Sequence, residues 1–146
     1  MPTEPPRQLA NETWEALFRA QMTLGKELVD SDAWGSLSTR EYGVLYALSK
    51  APEGARMADL CADALLTQAG MSRLVGRLED RRLIVRAPDP QDGRATVLRL
   101  TEAGTALHRE VGGRHAVEVE SVMTRALSPA ELEQLRHLCR RLIADV

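Results

Sequence analysis

A chain of 146 residues, 44% hydrophobic and 27% charged, suits one domain with a real core. No stretch approaches the roughly 18 consecutive apolar residues of a membrane span, and the opening MPTEPPRQ lacks the basic and apolar regions of a signal peptide. The formal net charge of −2 argues against indiscriminate nucleic-acid binding, yet it leaves room for a local basic surface. Without a span or a signal peptide a cytoplasmic protein is expected, and Cys61 and Cys139, both in helical apolar patterns, predict reduced thiols and no disulfide framework.

In chain order, residues 1 to 6 read as a Pro-rich disordered arm. A first helix is predicted from about Gln8 to Asp30, with Trp14, Leu17, Phe18, Met22, Leu24 and Leu28 over a broad apolar face. The first 36 residues carry three basic against six acidic groups, so they are expected to face away from any polyanion. A loop covers Asp32 to Leu37, and Ser38-Thr39-Arg40-Glu41 is a capping box that starts a second helix ending before Pro52. A third short helix spans Met57 to Leu66, with Met57, Leu60, Cys61 and Ala64 inward.

After a break at Leu66-Thr67 the pattern becomes more informative. Met71, Leu74, Val75 and Leu78 recur at helical spacing, whereas Gln68, Ser72, Arg73 and Arg77 take the other side; Thr67 is the expected N-cap. Ile84-Val85-Arg86 and Thr96-Val97-Leu98-Arg99-Leu100 then alternate as strands around turn formers Pro88, Asp89, Pro90, Asp92 and Gly93. Residues 67 to 101 hold seven Arg against four acids, so positive charge is concentrated there. Thr101 is expected to cap a fifth helix to about Arg125, interrupted at Gly112-Gly113 by a kink or a close helix contact. Ser128-Pro129-Ala130-Glu131 is a capping box for the last helix, whose stripe is Leu132, Leu135, Leu138, Cys139, Leu142 and Ile143.

A helix with a short polar face followed by an Arg-tipped hairpin is what a winged helix-turn-helix offers to DNA. The run Asp92-Gly93-Arg94-Ala95-Thr96-Val97-Leu98-Arg99-Leu100-Thr101, followed by Glu102-Ala103-Gly104, resembles the wing signature of the MarR family of transcriptional regulators. Leu78-Glu79, Leu83-Ile84 and Arg86 before it, and Leu37-Ser38 with Glu41-Tyr42 and Val44-Leu45, are also similar to that family. Arg82 departs from it, standing where the family usually has a Gly of positive φ. The expected fold is mainly α with a small β-hairpin wing, a winged helix-turn-helix flanked by N- and C-terminal dimerisation helices. The expected divisions are 1–36, an arm and dimerisation helix, 37–101, the winged module, and 102–146, the C-terminal dimerisation helices.

The resemblance implies a homodimer on double-stranded DNA with a pseudo-palindromic operator, its recognition helices roughly 34 Å apart. Gln68, Ser72 and Arg73 are expected at major-groove bases, Arg77 and Arg86 at phosphates, and Arg94 in the minor groove with Asp92 positioning it by a charge-assisted hydrogen bond. Some of these arginines could instead pair with Glu79, Asp80 or Asp89. The family also implies repression released by a small phenolic or aromatic effector in a cleft beside the dimer helices, for which Trp14, Phe18, Met22, Tyr42 and Tyr46 are the candidates; the same residues at helical spacing also suit a core. Alternatives are a winged protein-interaction module, a ligand-independent DNA-binding protein, or a redox sensor, which needs an exposed thiol of lowered pKa. No cofactor, metal or membrane partner is expected. His108 and His115 are two helical turns apart, too far to share an ion unaided, and no catalytic motif occurs.

Overall fold

The computed structural model describes residues 6–64, 67–144 and 146. In chain order these form α1 (Pro6–Val29), a 3-10 turn at Asp32–Trp34, α2 (Thr39–Ser49), α3 (Met57–Ala64), α4 (Gln68–Asp80), β1 (Ile84–Pro88), β2 (Thr96–Leu100), α5 (Glu102–Thr124) and α6 (Pro129–Ala144). The Pro-rich opening through residue 5, the break at Leu66 and the side chain of Ala64 lie outside the described residues. Contacts divide the chain into one unit of residues 32–115 and another that joins Met1–Ser31 to Ala116–Val146.

The 32–115 unit has the core. Met71, Leu74, Val75 and Leu78 of α4 are all buried, together with Val44, Leu45 and Leu48 of α2, Leu60 of α3, Ile84 and Leu98 of the hairpin, and Val111 of α5. The 3.6-residue spacing of the α4 set is what lets one helix contribute four core side chains while the opposite face stays polar. Its start is capped as expected, Thr67 Oγ1 accepting the Gly70 N–H at 3.1 Å. The Ser38 box is formed in both directions, with Glu41 N–H to Ser38 Oγ at 3.1 Å and Ser38 N–H to Glu41 Oε1 at 3.0 Å.

The turn from α4 into the hairpin is left-handed. Arg82 has φ 57°, while the Arg82 N–H donates to the Glu79 carbonyl and the Leu83 N–H to the Leu78 carbonyl, at 2.8 and 3.0 Å. These bonds satisfy carbonyls that the helix end leaves open, so the conformation persists although a side chain disfavours it. Arg82→Gly is therefore expected to raise unfolding stability by ~1 kcal/mol, measured by urea denaturation.

The hairpin pairs Ile84 with Leu100 through Pro88 with Thr96, so Pro88 closes the strand rather than belonging to the turn. A third segment, not anticipated, joins it: Ala55 and Leu98 exchange both main-chain hydrogen bonds, at 3.0 and 2.8 Å. The interruption expected at Gly112-Gly113 is absent, since α5 is helical throughout 102–124. The close contact expected as the alternative does form at Gly112, where a Cβ would sit 3.2 Å from the Tyr42 hydroxyl.

The other unit contains α1, the end of α5 and α6. Arg125 pairs with Glu27 at 2.7 Å, and the Ser128 capping box forms with Glu131 as expected. Neither α1 nor α6 has a buried residue. Trp14, Met22, Leu142 and Ile143 are 60 to 74% exposed, leaving two apolar stripes without cover inside one chain. Cys61 and Cys139 are free thiols, half-buried rather than buried.

Candidate nucleic-acid interface

Because the α4 core face is turned inward, its polar face is presented to solvent. Gln68, Ser72, Arg73 and Arg77 are all exposed, and among the described residues none of these side chains has a hydrogen-bond or ion-pair partner. The helix opens with Gln68-Ala69-Gly70, small enough for close approach to a groove floor. Arg94 is exposed at the hairpin tip, and its guanidinium likewise has no partner among the described residues.

The tip is shaped by two aspartates. The Asp89 Oδ1 accepts the Gln91 N–H at 2.9 Å, and its Oδ2 accepts Arg56 Nε and Nη2 at 3.0 and 2.7 Å. These bonds, the Gln91 N–H first, hold the Asp89 carboxyl below its usual range. Asp92 does not grip the Arg94 guanidinium as expected. Its Oδ1 accepts the Arg94 main-chain N–H at 3.1 Å, because an aspartate opening a turn reaches the amide two residues on more readily than a side chain that leaves the turn. Asp92 thus sets the backbone from which Arg94 projects.

Other arginines in the segment are occupied. Arg86, expected at phosphate, is held by Glu79 at 3.0 Å, and Arg81 donates to the Ser36 carbonyl and hydroxyl at 3.2 and 2.9 Å. Arg56 was missed altogether. Its partner Asp89 is 33 residues away in sequence, and no periodicity links them.

A second cluster lies in the same unit. Tyr42 stacks on His108 with ring centroids 5.5 Å apart and meets Trp34 edge-on at 5.2 Å; Trp34 also lies 4.5 Å from His115. Tyr46 adjoins Tyr42 at 6.3 Å and has Lys50 Nζ over its ring at 5.2 Å. Of the five candidates for an effector site, Tyr42 and Tyr46 are in this cluster, whereas Trp14, Phe18 and Met22 are exposed on α1 in the other unit. His108 and His115 were read as a failed metal pair, yet they serve as ring partners. Among the described residues, no group of three or more metal-ligating side chains occurs.

Burial, then the charges of Lys50 and Arg109, hold the His108 imidazole below its ordinary midpoint of 6.5. The unfolded chain thus binds a proton that the folded chain resists. The contribution is fully present above about pH 6.5 and is lost as pH falls through the depressed folded midpoint. His108→Gln is expected to flatten that part of the stability profile, seen by urea titration between about pH 7 and pH 5.

Three helices closed by a two-stranded wing, with one helix face and the wing tip carrying unpaired Arg, define a winged helix-turn-helix. A sequence profile of the MarR family matches residues 36–95. The HTH-type transcriptional regulator MhqR of Bacillus subtilis (strain 168) is 30% identical over 77 residues, 53% of this chain. The match spans about half (52%) of that relative's length. Two solved structures from Streptomyces coelicolor share the fold. The MarR family regulator Sco3205, in complex with DNA, has a TM-score of 0.74 at 23% identity over 98% of this chain and 90% of its own. The PcaV transcriptional regulator, in complex with its natural ligand, has a TM-score of 0.60 at 29% identity over 100% and 99%. Residues 36–95 thus resemble the MarR family, and the relatives compared are transcriptional regulators. Among the described residues, no helix is long and apolar enough to cross a membrane.

Proposed function

We propose that this protein is a homodimeric, sequence-specific DNA-binding regulator that represses transcription by occupying a promoter and is released by a small aromatic or phenolic ligand. The observation that carries the reading is the unpaired polar face of α4, Gln68, Ser72, Arg73 and Arg77, together with the free Arg94 at the wing tip. Gln68, Ser72 and Arg73 read major-groove base edges, Arg77 meets phosphate, and Arg94 enters the minor groove. Arg86 reaches phosphate only by leaving Glu79, so its share is smaller. The apolar stripes of α1 and α6 support a homodimer, since a second copy is self-complementary to the same surface. Tyr42 and Tyr46 are the effector-site candidates set within an aromatic cluster. Trp14, Phe18 and Met22 are presented on α1, where a ligand or a second protomer can meet them. A similar fold solved on DNA and another solved with a ligand make both activities natural ones to test.

The test is binding of the purified protein to the promoter DNA flanking its own coding region, titrated against salt and against a scrambled duplex. Selective binding is expected, falling steeply as salt rises because phosphate contacts release counterions. Absence of binding to either duplex at low salt would overturn the reading.

A further inference from the structure

Arg56 stands immediately before α3, and its carbonyl accepts the Asp59 and Leu60 N–H groups of that helix at 3.1 and 3.3 Å. Its backbone is thus fixed to the start of α3, while its side chain leaves for the wing. Two of its N–H donors, Nε and Nη2, converge on the Asp89 Oδ2 at 3.0 and 2.7 Å, across 33 residues of sequence. The Asp89 side chain is only 12% exposed and the Arg56 side chain 50%. Asp89 is where the tip begins: its N–H donates to the Ala95 carbonyl at 2.9 Å, and the Ala95 N–H to the Asp92 carbonyl at 2.9 Å. At the neighbouring position, the main chain of Ala55 pairs with Leu98 of β2. Consecutive residues therefore tie the wing to α3 twice, Ala55 to the strand and Arg56 to the tip.

A two-stranded hairpin has little stability of its own, so its tip needs a tether if it is to hold one position relative to α4. An exposed ion pair adds little to overall stability, but two charge-assisted hydrogen bonds from a planar guanidinium fix a direction. We infer that Arg56 is a positioning residue for DNA binding: through Asp89 it holds the tip where Arg94 meets the minor groove while α4 occupies the major groove. The inference rests on the DNA-binding reading above. It gives Asp89 an effect opposite to that of its charge. A carboxylate beside the wing tip repels phosphate, yet its removal is expected to weaken binding, because the tip must then be ordered as DNA binds. Asp89→Asn isolates this effect. It keeps an oxygen for the Gln91 N–H, which Asp89 Oδ1 accepts at 2.9 Å, and removes only the charge that holds Arg56.

The experiment is fluorescence anisotropy of the full chain on the promoter duplex, with circular dichroism and the urea midpoint checking that each variant keeps its fold. Asp89→Asn and Arg56→Gln are each expected to weaken binding about three- to fivefold, the range open to one exposed ion pair. Were Arg56 instead a direct phosphate ligand, freeing it by Asp89→Asn would tighten binding. In an Arg94→Ala background neither substitution is expected to weaken binding further, because the tether acts through Arg94. Asp89→Asn that binds as tightly as the parent, or more tightly, overturns the inference, as does an undiminished loss in the Arg94→Ala background. Should Asp89→Asn lose its fold, parent-like affinity in Arg56→Gln overturns the inference equally. A parent chain that binds neither the promoter nor a scrambled duplex overturns the DNA-binding reading and this inference with it, whereas unchanged affinity in the variants of a binding parent overturns this inference alone.

Discussion

Arg94→Ala is expected to lower affinity for a matched promoter and for scrambled DNA by similar factors, roughly 10- to 100-fold, and to reduce the salt dependence by about one counterion. The guanidinium has no partner to leave among the described residues, so its full charge is available to DNA. The backbone beneath it is already fixed by the Asp92 carboxylate at 3.1 Å and by the Arg56–Asp89 ion pair at 2.7 Å, so little ordering is needed on binding. A minor-groove arginine responds to groove potential more than to base identity, hence the uniform loss. Arg73→Ala provides the contrast. Its position on the free face of α4 predicts a loss of about 1–3 kcal/mol on the matched site with less on scrambled DNA. Fluorescence anisotropy on both duplexes measures the pair, and equal loss on both duplexes for Arg73→Ala would falsify its base-reading role.

Gly104→Ala is expected to destabilise the fold by about 3 kcal/mol or more, read by urea denaturation. Gly104 is buried, and a Cβ there would overlap the Leu83 carbonyl. That carbonyl already accepts the Thr101 N–H at 3.0 Å. Thr101 Oγ1 in turn donates to the Arg82 carbonyl at 2.6 Å and accepts the Gly104 N–H at 3.0 Å. The start of α5 is therefore laced to the left-handed turn after α4, and backbone rather than a yielding side chain occupies the space a methyl would need. Gly113→Ala is the control. Nothing lies within 4 Å of a Cβ there, so the ordinary helical preference for Ala predicts a gain of about 0.5–1 kcal/mol. A Gly104→Ala variant as stable as the parent would show that the Leu83 turn yields.

Elements whose cause is local were legible in the sequence. The spacing of Met71, Leu74, Val75 and Leu78 needs only the helix period, and the Ser38 and Ser128 boxes need only three residues of reach. The hairpin followed from β-branched runs around turn formers, although Pro88 proved to belong to the strand. The left-handed Arg82 was visible as a residue standing where glycine is expected. At Gly112-Gly113 the expected interruption does not form, whereas the close contact expected as its alternative does, with Tyr42 of α2 standing against Gly112. Tertiary context overrode a cost of about 2 kcal/mol.

For the candidate interface, sequence by itself determined the residue types and their helix face: Gln68, Ser72, Arg73 and Arg77 together, and Arg94 at a hairpin tip. Only the tertiary structure decided which charges are available. Arg86 is held by Glu79, Arg81 by Ser36 across 45 residues of chain, and Arg56 by Asp89 across 33. It likewise decided that His108 and His115 meet Tyr42 and Trp34. The physical reason is range. Periodicity, capping and turn chemistry act over a few residues and are written into neighbouring positions. Ion pairing and burial depend on distances through space between segments that the chain order leaves far apart.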